Sequence, residues 1–196
     1  ILNSKINFGK GINDWMHGKE NEARTQISFL LSRRTPTDLV LNIICIALFA
    51  GISEELIFRG VVQRLVIQGT KSPWIGILVA AFLFSFIHFQ FFGFIPRFLL
   101  GILLGAIYWY SGSLWPAIAA HFIYDAFLIV LAYFNPQMVS NADTPMIDTS
   151  YLWVGALMSA VILGGLLWWM KRNSTNSYER VYASKHVAPS ENDFTF

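Results

Sequence analysis

The stretch Gly51–Gly60, "GISEELIFRG", sets two adjacent carboxylates and a guanidinium between segments built almost wholly from apolar side chains. Leu39–Ala50 ahead of it reads "LVLNIICIALFA", and Trp74–Ile87 behind it reads "WIGILVAAFLFSFI". A charged group at the middle of a bilayer costs about 3 kcal/mol on insertion scales, so several together belong inside a helix bundle rather than against lipid. Glu55 and Arg59 are four residues apart, acid first, which stacks them on one helix face as a favourable pair. Glu54 points about 100° away from Glu55 around the same helix. One carboxylate is therefore expected to be held, and its neighbour to be free to act.

Composition places the stretch in a membrane. Of 196 residues, 55% are hydrophobic and 13% charged, against about 25% charged in soluble domains. The aromatic share of 16% fits Trp and Tyr at the water interfaces of spanning helices. A net charge of +2, with no basic patch interleaved with aromatics, excludes a nucleic-acid partner. Cys45 is the single cysteine, so an intramolecular disulfide and a thiolate metal cluster are excluded, and it reads as a small apolar residue of a membrane helix. The chain starts at Ile1, no secretory signal with a cleavage site is legible, and the expectation is a piece of a longer protein.

The expected fold is an all-α, polytopic membrane helix bundle of about five spans with its site inside the bundle. Residues 1–37 read as a polar or interfacial lead-in, with turn signals followed by weak helical character through "ISFLLSRR". Pro36 closes that segment, and Thr37 or Asp38 can cap the next helix. Residues 38–170 form the core. Its first span runs from Leu39 through the Glu-Glu pair to Gly69, longer than the ~20 residues a crossing needs. Pro73–Phe92, Pro96–Gly112, Leu114–Phe134 and Tyr151–Met170 follow, and Gly101 and Gly105 of the third span are spaced for close helix packing. Residues 171–196 form a polar tail whose composition predicts disorder. The acidic loop before the fifth span and the basic tail after it put the tail in the cytoplasm, although Arg33 and Arg34 then fall on the opposite side against the positive-inside rule.

Away from span ends the ionisable residues are few: Glu54, Glu55, Arg59, Arg64, His88, His121 and Asp125. His121 and Asp125 share a helix face at a spacing of four, and Phe84 and His88 repeat that spacing. A carboxylate in a partly wet cavity is a usable general base. Histidines on facing helices can hold a water, bind a metal or donate to a developing oxyanion. Taken singly, His88 and His121 read as core histidines and Glu55–Arg59 as a structural ion pair. Arg64 reads as a side chain snorkelling to the headgroups, and His17 and His186 in polar segments carry no signal. One obstacle is depth: His88 lies ~15 residues into its span and His121 ~7 into a span of the same direction, about 12 Å apart at 1.5 Å per residue.

"EELIFR" fits Glu-Glu-x-x-x-Arg, "FSFIH" fits Phe-x-x-x-His and "HFIYD" fits His-x-x-x-Asn/Asp, in that order on successive core helices. Over Leu39–Phe134 the chain thus resembles the CPBP family, also called Abi, of intramembrane proteases, which includes type II CAAX prenyl endopeptidases and bacteriocin-processing or self-immunity proteins. The resemblance implies that Glu54 is the general base and His88 its partner on the attacking water. It implies that His121 and Asp125 line the oxyanion site, with Glu55, Arg59 and Phe84 supporting them. Asp125 stands where the prenyl endopeptidases have asparagine; an amide donates to an oxyanion and an ionised carboxylate does not. Asp125 must then be protonated, orient His121 or bind a metal. Glu54, His88, His121 and Asp125 form a zinc-compatible set of nitrogen and oxygen donors, but no His-Glu-x-x-His pair is present. Metal-free glutamate catalysis is preferred, with a zinc cofactor as the alternative.

The functional expectation is an intramembrane endopeptidase in a bacterial cytoplasmic membrane, with membrane lipids and a membrane-associated peptide or protein substrate as partners. A proton-coupled transporter is the runner-up, lacking the inverted repeats and paired broken helices that would favour it. A non-catalytic membrane scaffold or immunity protein is the third reading.

Overall fold

An apolar chain in lipid satisfies its backbone polar groups within helices or within closed barrels. The computed structural model describes residues 9–91, 93–135, 161, 163–178 and 181, and among them the regular structure is helical without a strand. The elements relevant to the site are α1 (Lys10–Leu30), α2 (Pro36–Thr70), α3 (Pro73–Phe86), α4 (Phe94–Ser111) and α5 (Trp115–Phe134). α2, α4 and α5 are long and apolar enough to cross a membrane, and α3 is a shorter apolar helix. The chain is an integral membrane helix bundle.

The lead-in is more ordered than its turn signals predict. Lys10–Leu30 is one helix of 21 residues. Ile12, Trp15, Met16, Ala23, Ile27 and Leu30 recur at helical spacing along it, and this apolar stripe outweighs Gly11 and Gly18. Met16 on the stripe is buried, whereas Phe29 and Leu30 stay exposed.

Pro36 opens α2 rather than closing the lead-in. The first helical position has no intrahelical use for an N–H, so proline is tolerated there. Thr35, not Thr37 or Asp38, is the cap: its Oγ1 accepts from the Asp38 amide at 3.2 Å. Two π-helical stretches interrupt α2, Ile43–Leu48 and Leu56–Gln63, and they flank the Glu54–Glu55 pair. Such stretches are uncommon in helices and concentrate at functional sites. Lys71, in the left-handed region at φ 56°, ends the helix, and Ser72 caps α3 with Pro73 in its first turn.

α3 stops at Phe86, short of the expected Phe92. The Phe89 amide donates to Phe86 O at 3.1 Å and Phe89 takes a φ of 52°, so the chain turns inside the apolar run. His88 therefore lies beyond the helix, on a turn that leads back to α4.

The glycines at 101 and 105 do what their spacing predicts. A Cβ on Gly101 would stand 2.9 Å from Ala81 Cα, and one on Gly105 would stand 2.8 Å from Gln63 Oε1. The bare α4 face lets α3 approach and exposes two backbone carbonyls to α2. Beyond α5, residues 163–173 are helical, Asn176 Nδ2 donates to Trp109 O at 2.9 Å, and Val181 is buried with Ile67, Ile77, Ala106 and Trp109. The fifth expected span falls partly on residues 151–160 and 162, and the acidic loop on 136–148, which lie outside the described residues; of the tail expected to be disordered over 171–196, residues 179–180 and 182–196 lie outside them too, whereas 171–173 continue a helix and Asn176 and Val181 pack on the core, a correction to that expectation.

Gly101→Ala forces α3 and α4 apart, and overpacking of this kind costs about 1–3 kcal/mol. The melting temperature of the detergent-solubilised variant is expected to fall below that of the parent protein; equal melting curves would show that the contact tolerates a methyl group.

Candidate active site

Arg59 is the anchor from which the site is built. Its side chain is 0% exposed, as is that of Glu55. Arg59 Nη1 donates to Glu55 Oε1 at 2.8 Å, Nη2 donates to Gly101 O on α4 at 3.1 Å, and the guanidinium carbon lies 4.8 Å from the centre of the Phe84 ring on α3. One turn further along α2, buried Gln63 Nε2 donates to Gly105 O at 3.0 Å. Each carbonyl has a second lone pair to offer beyond its intrahelical bond, and the missing side chain leaves it accessible.

Glu55 carries the network to α5. The same Oε1 that accepts from Arg59 accepts from His121 Nδ1 at 2.8 Å. A proton on Nδ1 leaves Nε2 as the atom that faces the reaction side. From there Nε2 is 3.4 Å from Asp125 Oδ2, one turn along α5, and 3.8 Å from Glu54 Oε2. His88 is set in the same way from α3. Its Nδ1 donates to Phe84 O at 2.7 Å, a carbonyl freed by the end of the helix. Its Nε2 then lies 3.8 Å from Glu54 Oε1.

The two imidazole Nε2 atoms thus each face a different oxygen of Glu54. Phe84 stands beneath them, edge to face with His88 at 5.2 Å, His121 at 5.7 Å and Phe58 at 5.3 Å. Glu54, His88 and Asp125 are each about one quarter exposed, whereas His121 is 4% exposed. All four border a cavity of about 560 Å³, with Ile46, Leu100 and Leu128 among its apolar walls. That volume is in the range of pockets that enclose small ligands.

The residues expected at the site are brought together: Glu54, Phe84, His88, His121 and Asp125 at the cavity, and Glu55 and Arg59 behind them. Among the described residues no group of three or more His, Cys, Asp and Glu side chains is arranged to hold a metal ion. As placed, the four donors do not form a ligand cage for zinc. The 3.8 Å gaps from Glu54 to the two imidazoles are too long for a direct hydrogen bond, and a water is the group that would join such a pair. Sequence reasoning missed Gln63 and Arg97. Gln63 is one step past the Glu-Glu-x-x-x-Arg pattern, and its i+4 spacing from Arg59 was the legible signal. Arg97 lies near the start of its expected span, where no role was read for it, and it forms part of the cavity wall.

Residues 36–127 match the family model described as type II CAAX prenyl endopeptidase Rce1-like, which supports the assignment to the CPBP family that the motifs resemble. The uncharacterized protein YpbD of Bacillus subtilis (strain 168) is 34% identical over 89 residues, 43% of this chain. The chain spans 42% of the length of that relative. No solved structure matches.

Breaking a buried ion pair by removing one partner costs about 3–5 kcal/mol, whereas removing both can be close to neutral. Arg59→Met is expected to lower the melting temperature sharply and Glu55→Gln/Arg59→Met to recover part of the loss. A double variant that melts below Arg59→Met would show that Glu55 is held by His121 alone.

Proposed function

We propose, from the premise that residues 36–127 form an Rce1-like core of the CPBP family, that the chain is an intramembrane endopeptidase in which Glu54 activates water. The observation that carries this reading is the convergence of two imidazoles at 3.8 Å on one carboxylate that the buried ion pair leaves free. A water between Glu54 and His88 Nε2 has two acceptors for its two hydrogens. Glu54 takes one proton as the oxygen attacks a peptide carbonyl that enters through the cavity. The proton then passes from Glu54 to the leaving amine, which restores the carboxylate as the C–N bond breaks. General-base assistance of this kind is worth about 10²–10⁴-fold.

The tetrahedral oxyanion forms on the His121 side of the carboxylate. His121 already commits Nδ1–H to Glu55, so donation from Nε2 requires the imidazolium, which has Glu55 on one side and Asp125 on the other. In this reading Asp125 orients and balances His121. The reaction proceeds without a metal ion, and cleavage is expected to survive treatment with a chelator. The substrate is a peptide segment of a membrane-associated protein, and the membrane is the bacterial cytoplasmic membrane, as the Bacillus relative favours.

Glu54→Gln keeps size and hydrogen-bonding reach but removes the proton acceptor. Comparison of membranes that hold the parent protein or this variant is expected to reveal peptides released only by the parent, with a loss of at least ~10²-fold and a melting curve close to that of the parent. Undiminished cleavage by the folded variant would remove Glu54 as the base. Asp125→Asn tests the second half: an amide can both accept from the His121 imidazolium and donate to the oxyanion. The variant is expected to retain cleavage, while Asp125→Ala loses most of it; equal rates for all three would mean that position 125 takes no part.

A further inference from the structure

Of the four polar side chains that meet at the cavity, Glu54, His121 and Asp125 stand on long helices, whereas His88 stands just past the end of α3. A side chain on a connecting segment is fixed only as well as that segment is. The bond from Nδ1 to Phe84 O orients the ring, but it does not set the path of the backbone that carries it. Phe89, the next residue, has a φ of 52°, a conformation that a bulky side chain adopts only where its surroundings impose it.

Ser85 supplies that constraint. It is the penultimate residue of α3, it is 1% exposed, and its Oγ donates at 2.8 Å to Phe94 O in the first residue of α4. A serine or threonine inside an apolar helix commonly turns its hydroxyl back to the carbonyl four residues earlier. Ser53 and Thr70 do so, each at 2.7 Å, to Phe49 O and Val66 O. Ser85 bonds forward instead, and the bond closes the connection between α3 and α4 into a loop with His88 inside it. On the far side of His88, Arg97 Nη2 donates to Gln90 Oε1, and a Cβ on Gly93 would stand 3.3 Å from that nitrogen. Phe91 packs on Trp15 of α1, the helix whose Ile27, Leu30 and Leu31 border the cavity, with ring centres 5.2 Å apart. Of these contacts, the Ser85 bond is the one that joins the two helix ends directly.

We propose that Ser85 is a positioning residue for His88: by tying the end of α3 to the start of α4, its hydroxyl fixes the turn that holds His88 Nε2 at 3.8 Å from Glu54 Oε1. The inference rests on the peptidase reading above, in which a water stands between those two groups. Ser85 is not among the residues that border the cavity, so it acts through the backbone of the loop and not on the peptide. A displacement of about 1 Å in a group that holds the attacking water is enough to cost ~10²-fold in rate. Binding of the peptide along the apolar walls does not depend on that water.

The test uses Ser85→Ala in the full chain in detergent, with a synthetic peptide that spans a bond cut in the membrane comparison above. Its kcat is expected to fall about 10- to 10²-fold with KM nearly unchanged. The melting temperature should drop by only about 2–4 °C, as the loss of one neutral hydrogen bond implies. Acylation of histidines by diethylpyrocarbonate, read by mass spectrometry of the digested protein, supplies a readout that does not depend on cleavage. His88 is expected to react faster in the variant, and His121, whose side chain is 4% exposed, at the parent rate. An unchanged kcat or an unchanged His88 reactivity overturns the proposal. A rise at both histidines does so too, because it marks loosening of the whole bundle. Failure of the peptidase reading shows separately, as cleavage that persists in Glu54→Gln or as the absence of any peptide released only by the parent. The acylation rates then decide by themselves whether Ser85 holds His88 in place.

Discussion

A guanidinium buried completely inside a lipid-embedded bundle must find its compensation within the protein, and although Arg59 Nε has no hydrogen-bond partner among the described residues, the contacts of Nη1 and Nη2 organise this molecule. Arg59 on α2 draws a carboxylate from its own helix, a backbone carbonyl from α4 and an aromatic face from α3. Glu55, drawn in by Arg59, then reaches α5 through His121. Four helices are tied to one charge. Because an unpaired member would be costly in low dielectric, the arrangement tolerates little drift, and the imidazole at its far end is correspondingly fixed.

That rigidity separates two adjacent carboxylates. Glu55 is enclosed and committed; Glu54, one residue earlier, turns into the cavity between two histidines. The π-helical stretches on either side of the pair and the glycine face of α4 bring the backbones close enough for Arg59 and Gln63 to reach main-chain carbonyls. The end of α3 contributes in a different manner. By unwinding two residues before His88, it frees a carbonyl that orients the ring and sets the chain on course toward α4. The same turn delivers Arg97 to the cavity wall. Support and the proposed chemistry are thereby assigned to separate side chains around one cavity.

α1 stands apart from this economy. Its apolar stripe follows helical spacing and its polar face is well charged, yet it meets the core through a few side chains only. Its position beside the cavity makes it part of the wall without making it part of the framework. A wall element held in this way can yield to a ligand at little cost to the fold.

Much of this was legible in the residues. The apolar runs determined a helical membrane bundle, since lipid leaves a backbone few alternatives. The i, i+4 spacing of Glu55 with Arg59 and of His121 with Asp125 determined which side chains share a face, and the offset of one residue determined that Glu54 would point elsewhere. Three short patterns in order named the ionisable side chains that meet around Glu54, but not Gln63, Arg97 or the apolar walls such as Ile46, Leu100 and Leu128. The tertiary structure alone decided that His88 reaches Glu54, because the turn after Phe86 arises from local hydrogen bonds that hydropathy does not register. It alone decided that Lys10–Leu30 is a helix against the cavity and that Arg97 faces inward. Spacing along one helix is a local property and can be read from residue order; the distance between side chains on different helices depends on where each helix ends and how closely its neighbours pack.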